Sequence, residues 1–182
     1  MRGCFRVLAV VAFATAAFSQ NFVDTHGTQH RPFETVAKAR VFIFLRTDCP
    51  ISNRYAPELQ RIATEFSSKP VDFWLVYSDR SETAVQINQH IAEYRFPGIP
   101  LLDPAHELAG LAAATVTPQA AVFDERGQLK YSGRIDDRWV DFGKSRSAQT
   151  HDLEAAIGAT LEGRPVSQAR TRAVGCYLAD VK

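Results

Sequence analysis

Five consecutive apolar residues, Val41-Phe42-Ile43-Phe44-Leu45, constrain the fold more than any other stretch of the chain. A strand with one wet face alternates apolar and polar side chains, so an unbroken run of β-formers predicts a strand covered on both faces. After Cys49-Pro50, the apolar residues Tyr55, Leu59, Ile62 and Phe66 recur at offsets of four, three and four, which is the spacing of one helix face. Residues 71–77 (Val-Asp-Phe-Trp-Leu-Val-Tyr) predict a second strand. Strand, helix and strand in this order form a right-handed unit with parallel strands.

The rest of the chain extends that unit. Ser81 is the expected cap of a second helix bearing Val85, Ile87 and Ile91, and Phe96-Pro97-Gly98 closes it before a short strand at 99–102. Asp103-Pro104 opens a third helix with Leu108, Leu111 and Ala112 on one side. Segments 120–123 and 128–135 read as a hairpin joined by Asp124-Glu125-Arg126-Gly127. A last helix carries Leu153, Ile157 and Leu161 and stops at Gly163, with Pro165 beyond. The sequence therefore predicts one α/β domain over residues 20–182, with a central, mixed but mostly parallel sheet flanked by helices. A C-terminal hairpin and helix precede a tail that starts near residue 164.

Residues 1–19 stand apart. Arg2 and Arg6 precede or flank an apolar run from Val7 to Phe18 that ends in small residues, as in a secretory signal peptide cut before Gln20. The run falls short of the roughly 20 residues that span a bilayer, so no stable membrane insertion is expected after processing. Cys4 lies before the run, where a lipoprotein signal would need it after. The expected location is exported, periplasmic or extracellular. The whole chain carries a net charge of +1, and without residues 1–19 it would hold 19 basic and 20 acidic side chains. Neither balance attracts nucleic acid, and the tail arginines Arg164, Arg170 and Arg172 lack aromatic spacing.

Processing would leave two cysteines, Cys49 and Cys176, in a compartment where disulfides persist. They are too few for a disulfide-stapled miniprotein and lack the Cys-x-x-Cys pairs of a structural zinc site, so redox chemistry is the leading reading. Cys49 sits where the first strand gives way to a helix, with Pro50 at its first position. Unpaired N–H groups and the helix dipole there favour a thiolate. Arg46 and Arg54 are candidate positive charges beside it, opposed by Asp48. His26 and His30 are four apart but share a polar, Gly27-containing segment that reads as a loop, so no metal site is expected. Arg134, Asp136, Asp137 and Arg138 read first as a solvated charged turn, with tuning of the thiolate as the alternative. Tyr55, Phe73 and Trp74 read as core.

A strand followed by Thr47-Asp48-Cys49-Pro50-Ile51-Ser52-Asn53-Arg54-Tyr55, with Val116-Thr117-Pro118 before another strand, resembles the thioredoxin superfamily. Within it the segment is most similar to the redoxin branch related to peroxiredoxins, the AhpC/TSA group. The likeness spans about residues 22–178 and takes in residues 133–138 and Val174-Gly175-Cys176. It implies a thioredoxin-like fold, Cys49 as nucleophile, Pro50 and Ser52 as supporting residues, and Pro118 as a cis-proline beside the thiol. It also implies that the Thr117 backbone is exposed for pairing with an extended substrate, and that Pro57 kinks the active-site helix. The chain departs from the pattern at Ser52, which stands where a second cysteine would resolve a mixed disulfide. The peroxiredoxin threonine belongs three residues before the cysteine, and Thr47 is two before it.

On the resemblance the expected function is an exported thiol–disulfide oxidoreductase. A peroxiredoxin-like antioxidant peroxidase and a non-catalytic binding module are the alternatives. The expected partners are a protein or small-molecule disulfide, or a peroxide, together with an external thiol donor, and no cofactor is required. Cys176 is the candidate resolving thiol, with a permanent clamp to Cys49 or no pairing at all left open.

Overall fold

The computed structural model describes residues 20–178, so the expected signal peptide lies outside the described residues. The apolar run becomes β3 (Ala39–Leu45), buried at all seven positions. Its side chains alternate between two cores, as strand geometry requires. Val41, Ile43 and Leu45 face one core with Leu59, Ile62, Ile87 and Ile157, while Phe42 and Phe44 face the other with Trp74, Leu101 and Leu108. Arg40 tolerates burial inside β3 because its guanidinium donates to the carbonyls of Thr35 and Asp124, each at 2.6 Å.

Where one helix is expected after Cys49, two form: α1 (Pro50–Arg54) and α2 (Ala56–Glu65). Pro57 lies at the second position of α2 and has no N–H to offer the Asn53 carbonyl, so the first helix stops at Arg54 and Tyr55 caps both. Next come β4 (Val71–Tyr77), α3 (Ala84–Tyr94), β5 (Ile99–Leu102) and α4 (Glu107–Ala112). The cap of α3 is Thr83 rather than Ser81. Thr83 Oγ1 accepts from Gln86 N–H and Gln86 reaches back to Thr83 N–H, a reciprocal box that Ser81 cannot make because its hydroxyl binds Asp79. Asp103 holds α4 from further back, accepting from the N–H groups of Leu108 and Ala109.

The chain continues through β6 (Val116–Thr117), β7 (Gln119–Asp124), β8 (Leu129–Gly133), β9 (Trp139–Asp141), β10 (Lys144–Ser145), α5 (Asp152–Leu161) and β11 (Cys176–Tyr177). The polar leading segment also pairs, as β1 (Phe22–Val23) and β2 (Gln29–His30). The central sheet has the order β2-β1-β5-β4-β3-β7-β8. The mixed sheet matches expectation, but its balance is mostly antiparallel rather than mostly parallel. Only β3–β4 and β4–β5 run parallel. The expected hairpin adds antiparallel pairs on one side, and the unforeseen β1–β2 hairpin adds them on the other. Among the described residues, no helix is long and apolar enough to cross a membrane.

Candidate active site

Cys49 caps the N-terminus of α1 at the end of the loop leaving β3, and it is fully buried. Its Sγ donates to the Thr117 carbonyl at 3.1 Å. That carbonyl belongs to the peptide bond before Pro118, which is cis. β11 lies antiparallel to β6 with Cys176 opposite Thr117, so one backbone position touches both cysteines' surroundings. Both cysteines are free thiols, and Cys176 is half-buried.

The two sulphurs ionise very differently. Burial alone would push the Cys49 thiol up, but hydrogen bonds from the side chains of Cys176 and Ser52, and from both backbone N–H groups, outweigh it and lower its pKa. Ser52 is buried, and its hydroxyl has no hydrogen-bond partner among the described residues, which leaves it free to donate to a Cys49 thiolate. With α1 only five residues long, these short-range donors contribute more than a helix dipole. Cys176 is pushed up to about 12 by burial, by its hydrogen bond to Cys49 and by the Cys49 charge. Of the two, Cys49 is therefore the sulphur that loses its proton first, with Cys176 placed to donate to the thiolate it forms.

The Redoxin family model matches residues 11–157, well over half of the chain. The chain belongs to the redoxin family. Solved structures agree on the fold. An uncharacterized conserved protein from Geobacillus kaustophilus is 24% identical, with 87% of this chain and 88% of that one covered and a TM-score of 0.72. A hypothetical protein from Sinorhizobium meliloti 1021 is 22% identical, with 93% and 94% covered and a TM-score of 0.76. A secreted Mycobacterium tuberculosis disulfide oxidoreductase, homologous to E. coli DsbE, is 16% identical, with 80% and 99% covered and a TM-score of 0.58. No curated protein sequence matches.

Within this redoxin domain, Cys49, Pro50, Ser52, Thr117, Pro118 and Cys176 come together. The expected positive charges do not join them at Cys49. Arg46 pairs with Asp48 at 2.9 Å and Asp79 at 3.4 Å, and Arg54 lies over the Trp139 ring. The Thr117 edge, expected to be open to substrate, is occupied by β11 of the same chain. The charged turn is not solvated either: Asp136 and Asp137 are buried. Asp136 accepts from Tyr55 Oη at 2.8 Å and pairs with Arg138 at 2.6 Å, while Asp137 accepts from the N–H groups of Gln149 and Thr150. The Tyr55 bond ties the segment after β8 to the start of α2, and the Asp137 bonds tie it to the segment before α5. His30 binds the Asp24 carboxylate at 2.8 Å.

Three supporting residues escape sequence reasoning. Glu82 accepts from Thr47 N–H at 2.6 Å, bracing the loop before Cys49, and burial pushes its carboxyl up. His90 donates from Nε2 to Asn53 Oδ1 at 2.7 Å and accepts from Tyr77 Oη at 2.9 Å, fixing α1 from behind. Gly175 faces Thr117, where an added Cβ would run into the carbonyl oxygen. The adjoining Gly175-Cys176 pair was the one available signal for the last of these.

Proposed function

We propose that this protein is an exported thiol–disulfide oxidoreductase with Cys49 as nucleophile and Cys176 as resolving thiol. The observation that carries the reading is the meeting of the two thiols across the Thr117 edge, in a chain whose Cys49-Pro50-Ile51-Ser52 segment has no second cysteine. The Cys49 thiolate attacks one sulphur of a substrate disulfide. A Cys49–substrate disulfide forms, and the other substrate sulphur leaves as a thiolate that takes up a proton. That step removes the charge on Cys49, and with it two of the causes that keep Cys176 protonated. Cys176 then loses its proton and attacks Cys49 Sγ, expelling the second substrate thiolate. Two electrons and two protons pass to the substrate, and an external thiol donor restores the pair.

Export is proposed on residues 1–19 alone, and N-terminal sequencing of exported protein should begin near Gln20. For the chemistry, wild type and Cys176→Ser are each oxidised for one turnover by a disulfide with no other thiol present. Mass spectrometry should find a Cys49–Cys176 disulfide in wild type and a stalled mixed disulfide on Cys49 in the variant. Equal recovery of both proteins would remove Cys176 from the cycle. Addition of oxygen to Cys49 by peroxide, with no reaction toward the disulfide, would replace this reading with peroxidase chemistry.

A further inference from the structure

The tail that brings Cys176 to Cys49 also fills the edge where an extended partner would pair. Cys176 lies opposite Thr117 and Tyr177 opposite Val116, and Leu178 N–H donates to the Thr115 carbonyl at 3.0 Å. Arg46 Nη1 donates to the Tyr177 carbonyl at 3.3 Å. Strand alternation explains the fit: Val174, Cys176 and Leu178 pack inward, while Tyr177 is 81% exposed. Gly175 is required because any side chain there would strike Thr117.

This tail has a firm root and a light grip. At the root, Thr171 Oγ1 accepts from Arg134 N–H at 3.0 Å and bonds Tyr131 Oη at 2.6 Å, while Ser132 N–H donates to the Ala169 carbonyl at 3.0 Å. Beyond Thr171, the grip is a two-residue ladder, the flanking Leu178 hydrogen bond, the Arg46 bond to the Tyr177 carbonyl, and the inward side chains of Val174, Cys176 and Leu178. Short elements of this kind open locally at low cost. Cys49 is fully buried while the tail is seated, and the opening a reactant needs grows with its size.

We propose that residues 172–178 form a strap that sets substrate size. Seated, it buries Cys49; a small local opening suffices for low-molecular-weight disulfides, and a polypeptide disulfide reacts only after the strap leaves the Thr117 edge. The inference rests on the oxidoreductase reading above and adds its substrate class. The selection acts on the reduced protein, and in the oxidised one the Cys49–Cys176 bond fastens the strap after the substrate disulfide has departed as two thiols.

The test compares reduced wild type, Gly175→Ala and Leu178→Ser, each mixed with hydroxyethyl disulfide or with insulin. Peptide mass mapping follows the first attack at Cys49, and the readout is the ratio of the insulin rate to the small-disulfide rate. The ratio cancels any change in thiolate fraction caused by moving Cys176. Each substitution should raise it about tenfold or more, because each makes an opening of the strap more frequent. An unchanged ratio in the folded variants, or equal rates for the two substrates in wild type, would overturn the strap and leave the oxidoreductase reading standing. Failure of Cys49 to attack either disulfide in any of the three proteins would instead overturn that reading, and the strap's role with it.

Discussion

At the scale of single residues, the lowered pKa of Cys49 depends on donors that can be removed one at a time. Its alkylation rate should rise with pH through a midpoint below the ordinary thiol value of about 8.5. Ser52→Ala deletes one hydroxyl donor to the thiolate and should move that midpoint up. A midpoint unmoved by Ser52→Ala would mean that Cys176 and the backbone N–H groups suffice. The sequence makes Cys49, Ser52, Thr117 and Pro118 legible because they are held by local backbone and by a recognisable segment order. It does not make the fates of Arg46 and Arg54 legible. A long side chain chooses among partners brought by distant elements, here Asp79 after β4 and Trp139 in β9. Asp136 and Asp137 escaped for the same reason, since charges in a turn are ordinarily solvated unless the fold supplies donors from Tyr55, Gln149 and Thr150.

Among the elements, those long enough to show a period follow from the sequence, and the two- or three-residue ones do not. β3, β4, α2, α3 and α5 each hold an apolar pattern over seven or more residues. β1, β2, β6 and β9 to β11 are too brief for alternation to register, yet they decide the balance of the sheet and close the active-site edge. α3 offers a test of how far an element supports the site from outside it. Its Thr83 box fixes the first turn, and further along it presents His90 to Asn53 in α1. Thr83→Ala should destabilise the protein by about 1 kcal/mol, as the loss of an N-cap usually does. Urea denaturation measures this, and a change well under half that size would mean that packing of Ile87 already holds the helix start in place.

For the whole molecule, the proposed disulfide would close a chain segment from residue 49 to residue 176, a separation of 127 positions. On loop-entropy grounds, such a link stabilises a fold by about 5 kcal/mol at ordinary temperature. The reduced form has a compensation that the oxidised form lacks, and its sign depends on pH. Cys49 has a lowered folded pKa, so its thiolate contributes stability that is present above the unfolded value near 8.5 and is lost as pH falls through the folded one. Cys176 has a raised folded pKa of about 12, so its contribution is intact below about 8.5 and is lost as pH rises toward 12. Together they make the reduced fold strongest, relative to the oxidised one, near pH 8.5. The gap in melting temperature between the two forms should therefore narrow as pH rises from the Cys49 midpoint to about 8.5, and widen again above it. Differential scanning calorimetry on matched oxidised and reduced samples measures the gap directly. In Cys49→Ser/Cys176→Ser neither thiol exists, so its melting curve supplies the background of all other titrating groups. If reduced wild type, corrected for that background, showed no maximum near pH 8.5, the two sulphurs would not be sharing one proton across the Thr117 edge as described.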